Sequence, residues 1–162
     1  MPLRKLICLL ITFAPLLSAD LLAAKWFKGN LHTHSFWSDG DDFPEMIVDW
    51  YKSRSYDFLA ISDHNILLEG EKWINLGTNK TRHVALEKYR AKFPDLVQTR
   101  FRASKDTNGA IVTNLQVRLT ALPQLKQLFE ERGKFLLIPS EEIPAKHDDK
   151  PVHVNATNIR EF

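Results

Sequence analysis

Residues 30–40 of this chain read NLHTHSFWSDG and contain two histidines that are two positions apart. We predict a β-strand over residues 26–34, and because alternate residues of a strand point to the same face, His32 and His34 should project together. Asp39 follows in a Ser-Asp-Gly sequence, which favours a turn that folds its carboxylate back towards the imidazoles. Imidazole and carboxylate groups bind Zn, Mn and Fe, so the stretch is a candidate metal site. A chance histidine pair on an exposed strand is the alternative for so short a pattern.

Two further predicted strands run directly into residues of the same kinds. Residues 56–62 (YDFLAIS) lead into Asp63 and His64, and residues 134–139 (KFLLIP) lead into Ser-Glu-Glu. The carboxyl ends of successive parallel strands meet at one rim of a (β/α) barrel, where such enzymes hold their chemistry. Three strands that all end in histidine or carboxylate residues therefore predict one shared site. For His64, a cap on the next helix is the alternative.

Four segments of the chain resemble the PHP family, the polymerase and histidinol phosphatase family of metal-dependent phosphoesterases. The segments are NLHTHSFWSDG, FLAISDHN, LLIPSEEI and PVHVNATN, and they follow one another in this order between residues 29 and 158. The resemblance implies an α/β fold that is a partial distorted (β/α)7 TIM-like barrel of PHP type. It also implies that residues 25–162 form the N-terminal portion of a PHP domain.

The resemblance implies a set of metal ligands that would hold two or three divalent ions, Zn, Mn or Fe. Glu142 matches the acidic ligand of the Pro-Gly-x-Glu sequence that is typical of the family, although Ser140 replaces the glycine and Glu141 is the nearest competitor. His153 matches the family's next ligand histidine. Asp63 is assigned a supporting catalytic role, in which it orients a ligand histidine or the loop, with a turn or helix cap as its alternative. The implied metal ligands are His32, His34, Asp39, His64, Glu142 and His153.

The implied function is a phosphoesterase in which a water activated by shared cations attacks a small-molecule phosphate ester. The sequence contains no Gly-rich phosphate loop and no Ser or Cys nucleophile motif that offers a competing mechanism. Two alternatives stay open, a non-catalytic metal-binding PHP module and a metal-dependent amidohydrolase. PHP domains resemble barrels whose later strands add another histidine and an Asp-x-His pair, and no Asp-x-His follows His153. We therefore expect a truncated fragment whose activity without those ligands is open.

Residues 1–24 have the pattern of a secretory signal peptide. Arg4 and Lys5 precede an apolar run at residues 6–17 (LICLLITFAPLL), which small residues follow. This run is shorter than the roughly 20 residues that a membrane span needs, and Pro15 interrupts it. We predict an exported protein, periplasmic or extracellular, with no stable membrane span once the signal is cleaved. An uncleaved membrane anchor is the alternative.

The composition is that of a soluble globular domain, with 44% hydrophobic and 26% charged residues. The formal net charge of +2 is too small and too evenly spread to predict a nucleic-acid-binding surface. Cys8 lies in the signal segment, so the mature chain would have neither a disulfide nor a thiolate ligand. The periodicity of apolar residues predicts helices over residues 44–53, 69–76, 83–93 and 123–132, and strands within 110–119 and 152–156.

Overall fold

The computed structural model describes residues 24–105 and 107–159, which form two β-sheets and three α-helices. The strands are β1 (Gly29–Asn30), β2 (Phe58–Ile61), β3 (Lys72–Asn75), β4 (Thr99–Lys105), β5 (Ile111–Leu119), β6 (Leu136–His147) and β7 (Lys150–Thr157). The helices are α1 (Pro44–Lys52), α2 (Lys80–Lys92) and α3 (Leu122–Phe129). In the described part of the chain, none of these helices is long and apolar enough to cross a membrane. Residues 1–23 of the proposed signal peptide lie outside the described residues, so that assignment stays a prediction.

The main sheet has the strand order β1-β2-β6-β7, and it is not part of a (β/α)7 barrel. β1, β2 and β6 are parallel, but β7 runs antiparallel to β6. Between β2 and β6 the chain forms a separate antiparallel sheet with the order β3-β5-β4. The predicted TIM-like barrel is therefore wrong, because a barrel needs each strand to be followed by a helix that returns the chain to the next parallel strand. The described chain has a mixed α/β fold with two open sheets.

A two-residue turn explains why β7 reverses direction. Asp148 and Asp149 connect the paired residues His147 and Lys150, and their φ angles are 47° and 62°. Positive φ at both central residues defines a type I′ turn, whose twist matches that of an antiparallel hairpin. The chain therefore turns straight back on β6 instead of crossing over through a helix. The strand predicted over residues 152–156 is present, but as the second arm of this hairpin.

Two other local predictions are wrong. The strand predicted over residues 26–34 is reduced to β1, so the two histidines that follow lie in a loop. The helix predicted over residues 69–76 is replaced by β3, which contains Trp73 and Ile74 and pairs along its length with β5. Aromatic and β-branched residues suit a half-buried strand, and pairing with a distant strand outweighs a weak helical periodicity. The other three predicted helices are present, with their ends shifted by up to three residues.

Helices α1 and α3 contact each other, and they pack on the main sheet through β2 and β6, respectively. Leu59 of β2 and Leu137 of β6 are fully buried together with Val48 of α1 and Leu125 of α3. Burying one such side chain contributes about 1.5–3 kcal/mol. Because alternate strand residues face opposite sides, this packing fixes which side chains point to the other face of the sheet. By this alternation, His64 and Glu142 lie on that other face, at the carboxyl ends of the strands.

Glu45 is a fully buried carboxylic acid in the first turn of α1. Its Oε1 accepts hydrogen bonds from the hydroxyl of Tyr89 in α2, at 2.5 Å, and from the hydroxyl of Thr120, which follows β5. Its Oε2 has no partner in the described part of the chain. Burial raises the pKa of Glu45 above its ordinary value, and the two hydrogen bonds offset this only in part. The neutral acid is therefore the form that suits the fold.

Raising the pH should destabilise the protein through Glu45. A carboxyl whose pKa is higher in the folded than in the unfolded state gives stability below the unfolded pKa, and this is lost as the pH rises through the folded pKa. We expect Glu45→Gln, which cannot ionise, to flatten the fall in the free energy of unfolding as the pH rises above the ordinary glutamate pKa of 4.5. Urea unfolding at several pH values measures this slope. Glu69→Gln, at an exposed position, is the control and should keep the wild-type slope. An unchanged slope in Glu45→Gln would contradict the assignment.

Candidate metal centre

The candidate site lies where β2 ends beside β6. The parallel pairing of these strands continues past β2 through a backbone bridge between His64 and Glu142. Asn65 donates its N–H to the carbonyl of Glu142 at 2.9 Å, and Glu142 donates its N–H to the carbonyl of Asp63 at 3.1 Å. These two bonds fix the backbone of the histidine next to that of the glutamate, although 78 positions separate them in the chain.

The buried carboxylate of Asp63 holds the loop that carries the first histidines. Its Oδ1 accepts from the Ser35 N–H at 2.9 Å and from the Ser38 hydroxyl at 2.5 Å, and its Oδ2 accepts from the Ser35 hydroxyl at 2.6 Å. Asp63 is fully buried and these three donors satisfy it. The carboxylate thus anchors the loop, and none of its hydrogen bonds within the described residues goes to a histidine.

Gly40 allows the same loop to close tightly. A Cβ at this position would lie 2.5 Å from the carbonyl carbon and oxygen of His34, which is closer than any side chain tolerates. The N–H of Gly40 donates to the carbonyl of Ser35 at 3.0 Å and completes the turn. The turn brings Asp39 back to His34, with 2.8 Å between Asp39 Oδ1 and His34 Nδ1. The predicted return of this carboxylate to the imidazole therefore has a structural cause.

Glu142 is at the centre of the cluster, and its two oxygens face different histidines. Its Oε2 lies 2.8 Å from His34 Nε2, 3.3 Å from His64 Nδ1 and 3.9 Å from His32 Nε2. Its Oε1 lies 2.7 Å from His153 Nδ1. The side chain of Glu142 is only 6% exposed, whereas those of His32 and His153 are almost half exposed. The cluster is therefore closed towards the sheet and open to solvent on one side.

Two of the imidazole nitrogens in the cluster lack a hydrogen bond, and some of the ligand atoms have the spacing of metal ligands. His34 Nε2 and His64 Nδ1 are buried and make no hydrogen bond with the described residues, although Glu142 Oε2 is within 3.3 Å of both. Around a tetrahedral ion with bonds of 2.0–2.2 Å, ligand atoms lie about 3.3–3.6 Å apart. The distance of 3.3 Å from His64 Nδ1 to Glu142 and that of 3.4 Å from His64 Nε2 to Asp39 Oδ2 match this spacing. The His, Glu and Asp groups are close enough to hold a metal ion.

Three overlapping groups of three residues bring their ligand atoms within 4.8 Å of one another in the described part of the chain. The groups are His32, His34 and Glu142; His34, Asp39 and His64; and His64, Glu142 and His153. Glu142 belongs to two of them; its Oε2 lies nearest His32, His34 and His64, and its Oε1 lies nearest His153.

The carboxylates of the cluster are held in their ionised form. Burial opposes the ionisation of Glu142, but the hydrogen bond with His153 and the charges of His64 and His32 outweigh it, so its pKa lies below its ordinary value. Burial also opposes the ionisation of Asp39, but the hydrogen bonds with His34 and Ser38 outweigh this effect, so the pKa of Asp39 is lowered. Two ionised carboxylates beside the imidazole nitrogens favour the binding of a divalent cation.

All six residues that the sequence predicted as metal ligands lie in this cluster. Glu142, not Glu141, is the glutamate that the structure places there, because adjacent residues of a strand face opposite sides. His147 lies outside it, next to the hairpin turn, where its exposed side chain contacts Asp148 at 3.5 Å.

Sequence reasoning missed two residues that contact His32. Asn155 Oδ1 lies 2.9 Å from His32 Nδ1, and the Ser62 hydroxyl lies 3.0 Å from the same atom. The available signal was the spacing, since Asn155 is two residues after His153 and shares its face of β7.

Comparison with protein-family models, with curated proteins and with solved structures finds no match to this chain.

Removing the Asp63 carboxylate should destabilise the whole domain. In Asp63→Ala the N–H and hydroxyl of Ser35 and the hydroxyl of Ser38 lose their acceptor, so we expect the free energy of unfolding to fall by about 3 kcal/mol. Urea denaturation followed by tryptophan fluorescence measures the change. Asp95→Ala, at an exposed turn position, is the control and should change stability by no more than about 0.5 kcal/mol. Equal effects of the two substitutions would show that the buried carboxylate does not anchor the loop.

Proposed function

We propose that this chain is an exported metal-dependent phosphoesterase that hydrolyses a small-molecule phosphate ester. The observation that carries the proposal is the position of Glu142, whose Oε2 faces His32, His34 and His64 and whose Oε1 faces His153. A carboxylate in this position suits cations that share a ligand, which is the arrangement that phosphoryl transfer by clustered ions requires. The resemblance of four sequence segments to PHP phosphoesterases supports a phosphate ester as the substrate.

The ligand types and their overlap support a centre of two or three ions, Zn, Mn or Fe. Four imidazoles and two carboxylates exceed what one tetrahedral ion uses. Imidazole suits Zn and Fe, and carboxylate oxygens suit Mn. Without a cysteine in the mature chain, thiolate ligands do not compete.

The side chains of the cluster have separate tasks in this proposal. When bound, the ions would lower the pKa of a water and neutralise the phosphoryl oxygens. Glu142 stays ionised at neutral pH and supplies a fixed negative charge between the histidines. The exposed rings of His32 and His153 border the open side, where a phosphate ester has access from solvent. Asp63 acts from a distance, by holding the loop that positions His34 and Asp39.

A hydrolase assay tests the proposal against its two rivals, a metal-binding module without turnover and a metal-dependent amidohydrolase. With Mn²⁺ or Zn²⁺ added, the chain should hydrolyse p-nitrophenyl phosphate and lose this activity on chelation. His32→Ala should lower kcat/KM by about 100-fold or more, because the ligand itself is removed. His147→Ala, a histidine outside the cluster, should keep the wild-type value. Bound metal without turnover would favour the module, and cleavage of p-nitroanilides in place of phosphate esters would favour the amidohydrolase.

The number of bound ions gives an independent test. We expect the purified chain, dialysed against Zn²⁺ or Mn²⁺, to bind more than one ion per molecule, as measured by inductively coupled plasma mass spectrometry. Glu142→Gln keeps the size of the side chain but removes its charge, so the number of ions should fall. Glu87→Gln, in the exposed face of α2, should leave it unchanged. A wild-type ratio of one, or an unchanged ratio in Glu142→Gln, would contradict a shared glutamate.

A further inference from the structure

We propose that Asn155 is a positioning residue that keeps the proton of His32 on Nδ1, so that Nε2 presents its lone pair to the cluster. The inference rests on the proposed function only in treating His32 as a metal ligand. The contacts of the ring with the protein carry the rest.

The two nitrogens of His32 face different surroundings. Nδ1 lies 2.9 Å from the side-chain oxygen of Asn155 and 3.0 Å from the hydroxyl of Ser62. Nε2 points towards Glu142, with 3.9 Å to its Oε2. A neutral imidazole carries one N–H, and the partner of one nitrogen decides which nitrogen remains free to bind an ion. An acceptor oxygen at Nδ1 therefore leaves the lone pair on Nε2.

Asn155, not Ser62, decides the position of the proton. The serine hydroxyl both donates and accepts, so it suits either tautomer. The amide oxygen of Asn155, which is the atom that faces Nδ1, only accepts, so this arrangement requires an N–H at Nδ1. Ser62 has a second task, since its backbone N–H donates to the carbonyl of Thr33 at 2.8 Å and holds the segment that carries His32.

The hairpin places Asn155 at this position. The register of β6 with β7 pairs Glu142 with Asn155, and His153 lies two residues earlier on the same face. β7 thus supplies both the histidine that contacts Glu142 and the hydrogen-bond acceptor for the ring of His32. Val154 lies between them, points to the opposite face and is 53% exposed, which makes it the matched control.

The experiment reads the tautomer directly. In metal-free protein at a pH where the ring is neutral, two-dimensional ¹H–¹⁵N NMR of the imidazoles shows which nitrogen of His32 is protonated, with His32→Gln used for assignment. We expect Nδ1–H in the wild type, in Val154→Ala and in Asn155→Asp, because a carboxylate keeps the acceptor. We expect a shift towards Nε2–H in Asn155→Leu, which has none. A proton on Nε2 in the wild type, or an unchanged tautomer in Asn155→Leu, would overturn the inference.

Metal affinity gives the second reading. In competition with a chromophoric chelator, Asn155→Leu should bind Zn²⁺ about 10–100-fold more weakly than the wild type, as is typical when the hydrogen-bond partner of a ligand is lost. Asn155→Asp should bind as tightly as the wild type or more tightly, and Val154→Ala should match it. Equal losses in the Leu and Asp variants would mean that Asn155 only supports the hairpin, and would overturn the inference. Neither measurement depends on hydrolysis, so the proposed phosphoesterase activity stands or fails separately.

Discussion

The parallel pairing of β2 with β6 is the constraint on which the candidate site depends. Its extension to His64 and Glu142 places a histidine and a carboxylate side by side through backbone hydrogen bonds alone. The helices α1 and α3 pack on the buried leucines of these strands and stabilise the pairing from the face of the sheet opposite Glu142. The other residues of the cluster lie outside this parallel pair of strands. His32, His34 and Asp39 come from the loop after β1, and His153 comes from the returning arm of the hairpin.

The residues of the site could be predicted from sequence because two of its strands have strong local signals and because the resemblance to PHP sequences singled out Glu142 and His153. FLAI and LLIP are short apolar runs, and polar residues with ligand atoms follow each of them at once. The carboxyl ends of adjacent parallel strands meet, so a prediction of the strands was enough to bring His64 and Glu142 together. His32 and His34 also lie in the cluster, but they lie in a loop and not in the strand that was predicted over residues 26–34. Their position depends on the serines that bind Asp63, which no periodicity reveals.

The architecture was harder to predict because it depends on contacts between distant segments. The sheet of β3, β4 and β5 forms by pairing of residues up to 47 positions apart, such as Lys72 with Leu119. The sequence of residues 69–76 alone does not indicate which strand it pairs with. The direction of β7 is set by the backbone conformation of Asp148 and Asp149, and a pair of aspartates suits several kinds of turn. Asn155 was passed over for a related reason, since its contact with His32 spans 123 positions.

The hairpin of β6 and β7 also constrains how the chain can vary in length. Side chains alternate across a strand, so one additional residue in β7 between the turn and His153 would exchange its two faces. His153 and Asn155 would then point away from Glu142, and Val152 and Val154 would replace them against the buried carboxylate. One added residue in each arm would instead lengthen the hairpin by one pair and keep Glu142 opposite Asn155. The tip therefore accepts only residues that tolerate positive φ, such as Gly, Asn and Asp, and insertions and deletions near it are tolerated only when Glu142 stays opposite Asn155.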